Sequence, residues 1–162
     1  MKEDFIQLSE SDTLKLKIKD VNGNYTGEML EFDLEDIELL LRYQEMIEKD
    51  KKNHEWLRNQ MLIIDRRQDV KGKKLLTKNE EDKLKAVRDF FNREIECYNM
   101  FLGDRGVEKL LNGRRIGWET LEEINTIIKE QIAPKLDLKM ENLTDKIKKK
   151  YSTKIKDSEV LK

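Results

Sequence analysis

One cysteine, one proline and one histidine occur in 162 residues. A lone cysteine, Cys97, excludes an intramolecular disulfide and fits a reducing, cytoplasmic setting. A lone histidine, His54, with no cysteine near it in sequence, excludes the paired ligand spacing of a zinc site. No apolar run approaches the ~20 residues of a membrane span, and Met1-Lys2-Glu3-Asp4 does not open a signal peptide. The stretch Val70-Lys71-Gly72-Lys73-Lys74 lacks the glycine spacing of a phosphate loop, and Gly113-Arg114-Arg115-Ile116-Gly117 reads only as a basic turn.

Charge is what the chain has in quantity. Charged residues make up 41% against 37% hydrophobic, which suits exposed helical faces around one modest core. The net charge is −1, against a dedicated nucleic-acid binder. Basic clusters exist at Arg66-Arg67, Lys71 to Lys74, Arg114-Arg115 and Lys146 to Lys150. They are interleaved with acids and lack an aromatic stacking platform, so they read as solvated faces. The distribution is uneven: residues 1–50 hold 14 acids against 6 bases, and residues 112–162 hold 9 against 12. Attraction between an acidic front and a basic back follows only if those groups meet; a solvated surface is the plainer reading.

Nothing in the pattern supplies catalysis. His54 has no orienting partner evident in sequence and reads as a surface histidine. Cys97, in mid-helix, reads as a small buried hydrophobe. The acids at Glu35-Asp36 and Glu80-Glu81-Asp82 sit at helix starts, where the helix dipole accounts for them. The expectation is no enzyme, no metal and no cofactor.

Residues 13–21 alternate Leu14, Leu16 and Ile18 with Lys15, Lys17 and Lys19, the pattern of a half-buried strand. Asn22-Gly23-Asn24 predicts a turn, and Tyr25 to Phe32 the returning strand, with Met29 and Phe32 toward the core. Asp33 is the expected N-cap of a helix reaching about residue 64, whose polar half from Asp50 to Gln60 is expected to project or break. Residues 65–79 read as a charged, mobile loop, and Thr77 with Glu80 as a capping box.

The next helix, about 79–102, places Leu84, Val87, Phe91, Ile95, Tyr98 and Leu102 on one apolar face. Gly103 and Gly106 end it, and Val107 to Leu111 form a short helix closed by Asn112-Gly113. A further amphipathic helix runs from Thr120 to Leu136, where Pro134 is expected to distort or end the last turn. Trp118 has two open readings: a staple onto Leu121, or an exposed anchor for a partner. The thin stripe Leu143, Ile147, Tyr151 and Ile155 marks a weak helix or a tail that orders on binding.

The expected fold class is α+β, predominantly α-helical, with an N-terminal β-hairpin packed on a small helical bundle. Residues 1–138 form that domain, and 139–162 a Lys-rich tail, weakly helical or disordered.

The order of parts resembles the tail assembly chaperones of tailed phages and prophages. The likeness spans roughly residues 13–137. It lies in the hairpin ending Glu31-Phe32-Asp33-Leu34-Glu35-Asp36, in Phe90-Phe91-Asn92 followed by Phe101-Leu102-Gly103-Asp104-Arg105-Gly106, and in Val107 to Gly113 with the helix after it.

The resemblance implies a non-enzymatic protein of the host-cell cytoplasm. It would bind the tape measure protein, engage the tail tube protein and self-associate. Residues expected to meet partners are Phe91, Tyr98, Phe101, Ile116, Trp118, Ile147 and Tyr151. Two rival readings stay open: a phage-encoded inhibitor or adaptor binding a host protein, and a nucleic-acid-binding accessory protein.

Overall fold

The computed structural model describes residues 3–72 and 74–152. Strand β1 (Thr13–Lys19) pairs antiparallel with β2 (Tyr25–Asp33), Leu14 opposite Phe32 and Leu16 opposite Leu30. The period of two puts Ile18, Leu30 and Phe32 on the buried side. Met29, expected on that side, instead lies opposite Lys17 on the outer face. Odd and even positions of a regular strand cannot share a face, so Leu30 takes the core position. The expected turn forms, with Asp20 Oδ1 accepting from the N–H groups of Asn22 and Asn24 at 2.9 Å each.

Helix α1 (Ile37–Asp65) is capped by Asp36, not Asp33: the Asp36 carboxylate accepts from the Glu38 N–H at 3.0 Å. Asp33 is still paired within the hairpin, opposite Thr13, and its side chain folds the intervening turn by accepting from Glu35 N–H at 3.0 Å. The helix neither breaks nor projects after Asp50. Helix α2 (Lys78–Leu102) runs back along it and covers the polar half.

The seam between the two helices uses Leu39, Tyr43, Met46, Asp50, Asn53, Leu57 and Ile64 from α1, positions separated by alternating steps of four and three except for the last. From α2 come Phe90, Glu94, Cys97 and Phe101, with the same alternation. This is the spacing of a coiled-coil seam. The buried stripe of α2 is therefore turned from the face expected in sequence. Leu84 is exposed, and Val87, Phe91 and Ile95 are only partly buried.

The connection over residues 66–77 is tied at both ends. Asn79 donates from Nδ2 to the Ile64 and Arg67 carbonyls at 3.2 Å each, adding a second donor to the Ile64 carbonyl, which also accepts the Arg67 N–H at 3.1 Å. The expected capping box is present: Thr77 Oγ1 accepts from Glu80 N–H at 3.2 Å, and Glu80 Oε1 from Thr77 N–H at 3.3 Å. Lys73 lies outside the described residues.

A tight bend leads into α3 (Gly106–Leu111). Gly103 adopts φ +99°, where a side chain is strained, and a Cβ on Gly106 would stand 2.5 Å from Leu102 Cβ. Asn99 locks the bend, its Oδ1 accepting from Val107 N–H at 2.8 Å and its Nδ2 donating to Glu108 at 3.1 Å.

Helix α4 (Trp118–Ile127), a π turn (Ile128–Ile132), α5 (Ala133–Ile147) and a second π turn (Lys148–Ser152) follow without a break. Pro134 distorts the helix but does not end it. Ala133 N–H bonds to the Ile128 carbonyl, five residues back, so the register changes where the proline offers no donor. The stretch from Met140 to Ser152 is helical, while Ile155 and the rest of 153–162 lie outside the described residues.

The core gathers where hairpin, α1, α2 and the later helices meet. Phe101 stacks on Phe32 at 5.5 Å and packs on Tyr43 at 5.3 Å, with Val107, Ile132 and Leu136 fully enclosed. Acidic front and basic back meet at Lys139, whose Nζ lies 2.8 Å from Asp12 and 3.0 Å from Glu35. This mostly α-helical α+β architecture, hairpin first, is the expected fold class.

Candidate functional site

Midway along the α1–α2 seam the apolar layers give way to a polar one. Asp50 and His54 lie one helical turn apart on α1, with Asp50 Oδ1 and His54 Nε2 separated by 3.3 Å. Asn53 Nδ2 donates to Glu94 Oε1 of α2 at 2.9 Å. Glu94 is 0% exposed, and its other oxygen, Oε2, is buried with no hydrogen-bond donor, as is Asp50 Oδ1. Each of Asp50, His54 and Glu94 brings one ligand atom within 4.8 Å of the other two.

Burial, and after it the Asp50 carboxylate, pushes the Glu94 carboxyl up to about 8, against the pull of the Asn53 amide. Burial thus favours the neutral form of the Glu94 carboxyl. The seam also holds Cys97, whose thiol donates to the Met46 carbonyl at 3.3 Å. Burial, then the Glu94 and Asp50 charges, pushes that thiol up to about 12. Tyr98, beside Glu94, is raised for the same reasons, burial first and Asp50 next. None of these groups is poised as a nucleophile at neutral pH.

His54, read from sequence as a solitary surface residue, therefore has two carboxyl neighbours, and its ring packs on Phe90 at 5.0 Å. The signal that finds it is Asp50 four residues earlier, combined with a seam register that turns both toward α2.

The expected partner-binding residues divide. Tyr98 and Phe101 are core residues, which corrects the expectation that they present a docking surface: the hairpin and α1 cover them. Phe91 and Ile116 are partly buried. Trp118 combines an exposed face with ring contacts to α2. It is 49% exposed, but its ring rests on Phe90 at 5.5 Å and Phe91 at 5.0 Å, clamping the start of α4 to α2. Ile147 and Tyr151, at the far end of the last helix, are exposed.

Two features that no local pattern signals expose more apolar surface. An open groove of about 490 Å³ lies between the start of α1 and the second half of α5, with Leu34, Ile37, Leu40 and Leu143 as its apolar lining and Lys139, Lys146 and Glu35 at the rim. Ile37, Leu41, Leu138 and Met140 are exposed as well. The extended segment before β1 holds Phe5, Ile6 and Leu8 out in solvent at 86%, 99% and 89% exposure. A second recess, about 500 Å³, separates β1 from α3 and α4 and reaches Leu16, Ile18 and Leu111.

Of the basic clusters, Arg67 is engaged by Asp82 at 2.8 Å and Arg114 by Glu123 at 3.6 Å. Among the described residues no helix is long and apolar enough to cross a membrane. Comparison of the chain with protein-family models, with curated proteins and with solved structures returns no match.

Proposed function

We propose that this protein is a non-catalytic tail assembly chaperone of a tailed phage or prophage, acting in the host cytoplasm. It holds the tape measure protein and assists tail tube assembly. The observation that carries this reading is the groove between α1 and α5, apolar within and charged at the rim. Such a cleft suits one face of an amphipathic helix, with anchors spaced three and four residues apart. The tape measure protein that the resemblance points to is long and helical, and offers that face many times.

One short groove gives a weak contact, which matches a chaperone that must leave before the tail is complete. Many copies along one client convert weak contacts into retention without a tight single site. The exposed Phe5, Ile6 and Leu8 add a strip through which neighbouring copies can touch. The charged exterior, 41% of the residues, keeps a coated client in solution.

The test is co-expression with the tape measure protein of the same phage. The chaperone is expected to keep that protein soluble and to co-purify with it. Ile37→Glu with Leu143→Glu, in the groove, is expected to abolish both effects while the helical signal stays intact. A tape measure protein equally soluble without this chain, or bound equally by the groove variant, would refute the proposal.

A further inference from the structure

We propose that Asp50, His54 and Glu94 form a binding site for a divalent transition-metal ion of the zinc type, set inside the α1–α2 seam. The ligand set is the first argument. One imidazole nitrogen and two carboxylate oxygens are borderline ligands that suit Zn2+ and its neighbours, whereas Mg2+ and Ca2+ prefer six or more oxygens. Three protein ligands leave a coordination position for water, as in open zinc sites.

Geometry is the second argument. Bonds of about 2.0–2.1 Å at the tetrahedral angle put neighbouring ligand atoms roughly 3.3–3.4 Å apart. His54 Nε2 and Asp50 Oδ1 are already 3.3 Å apart, held by their one-turn spacing on α1. Glu94 reaches them from the opposite helix, and all three ligand atoms lie within 4.8 Å of one another. A small side-chain adjustment closes the set around one ion.

The third argument is what the site is missing. Glu94 is completely buried, yet Oε2 has no donor; Asp50 Oδ1 is buried beside it and makes no hydrogen bond, its one charged neighbour being His54 Nε2 at 3.3 Å. Two buried acceptors in one place call for a positive charge or a proton between them. Asn53 occupies the other Glu94 oxygen, Oε1, at 2.9 Å, which fixes the carboxylate plane and leaves Oε2 as the ligand atom. The side chains of His54 and Asp50 are 50% and 32% exposed, so an ion has a way in. A proton between the two carboxyls, with His54 paired to Asp50 at 3.3 Å, would quiet the same oxygens without an ion, and the two occupants are separable. A bound ion would pin α1 to α2 at one register, wherever on the surface partners dock.

The experiment titrates chelator-treated full-length protein with Zn2+ by calorimetry and follows the melting temperature, with Co2+ as an optical probe. We expect one ion per chain, a melting temperature raised by roughly 5–10 °C at about a hundredfold excess over Kd, and the strong visible absorption of low-coordinate Co2+. His54→Gln and Asp50→Asn are each expected to weaken binding at least tenfold. His54 is half exposed, so His54→Gln should leave the metal-free melting temperature nearly unchanged, and its result does not depend on whether a Glu94 variant folds. Glu55→Gln, the exposed neighbour outside the cluster, should bind like the parent. Absence of stoichiometric binding, or equal affinity in the His54 and Asp50 variants, overturns the site and leaves the shared proton as the occupant.

Discussion

Replacing Glu94 by Gln in chelator-treated protein probes the protonation of the seam's polar layer. Glutamine keeps the acceptor that Asn53 uses and supplies an N–H donor toward Asp50, so shape and hydrogen bonding survive while the titration is lost. In the parent, burial and Asp50 raise the Glu94 carboxyl from 4.5 to about 8. The folded chain therefore holds a proton that the unfolded chain releases above pH 4.5. Between pH 5 and 8 the native state binds more protons, so its stability must fall as pH rises, then level off above the folded value. A tenfold difference in proton affinity corresponds to about 1.4 kcal/mol, so the full loss is on the order of 4–5 kcal/mol.

The assay is urea unfolding of parent and variant side by side at pH 5, 6, 7, 8 and 9. Acids such as Asp69, Glu81 and Asp82, which hydrogen bonds hold low, lose their contribution only at lower pH, outside this window. The parent is expected to lose stability across the window, and the Gln variant to stay nearly flat and to be the more stable at pH 9. Parallel curves for the two proteins would refute the idea that Glu94 is protonated in the folded state.

Three further outcomes follow from the packing. Gly106→Ala places a methyl 2.5 Å from Leu102 Cβ and should cost about 1–3 kcal/mol by thermal or urea unfolding, unless the bend shifts. Phe101→Ala, which removes a ring packed on Phe32 and Tyr43, should cost about 3–5 kcal/mol, read by the same method. Cys97 should resist a thiol reagent in native protein at pH 8 and react at once in urea, because burial both shields the sulfur and disfavours its thiolate; fast native labelling would contradict the described seam.

The α1–α2 hairpin contributes to both the open groove and the polar layer. Its first turn lines the open groove, its middle carries the polar layer, and its far end is sealed by Asn79 and the Thr77–Glu80 cap. A polar layer in such a seam fixes the register of the two helices at some cost in stability. Groove and polar layer thus share one helix, α1.

Local chemistry was enough to specify much of the chain. The strict alternation of Leu14, Leu16 and Ile18 with lysines, the Asn22-Gly23-Asn24 turn, the Thr77–Glu80 cap and the Gly103–Gly106 bend each depend on interactions within a few residues, and each forms as the sequence indicates. What required the tertiary structure was every property set by a distant neighbour. Asp50 to Gln60 looks polar enough to project or break until α2 is laid against it, because Asn53 reaches Glu94 Oε1 only across the seam. Tyr98 and Phe101 look like docking residues until the hairpin and α1 cover them. His54 looks solitary because Glu94 is forty residues away along the chain but shares its layer in space. A periodic pattern gives the faces of a helix; only the partner helix, arriving in one register, selects which face is buried and which side chains share charge.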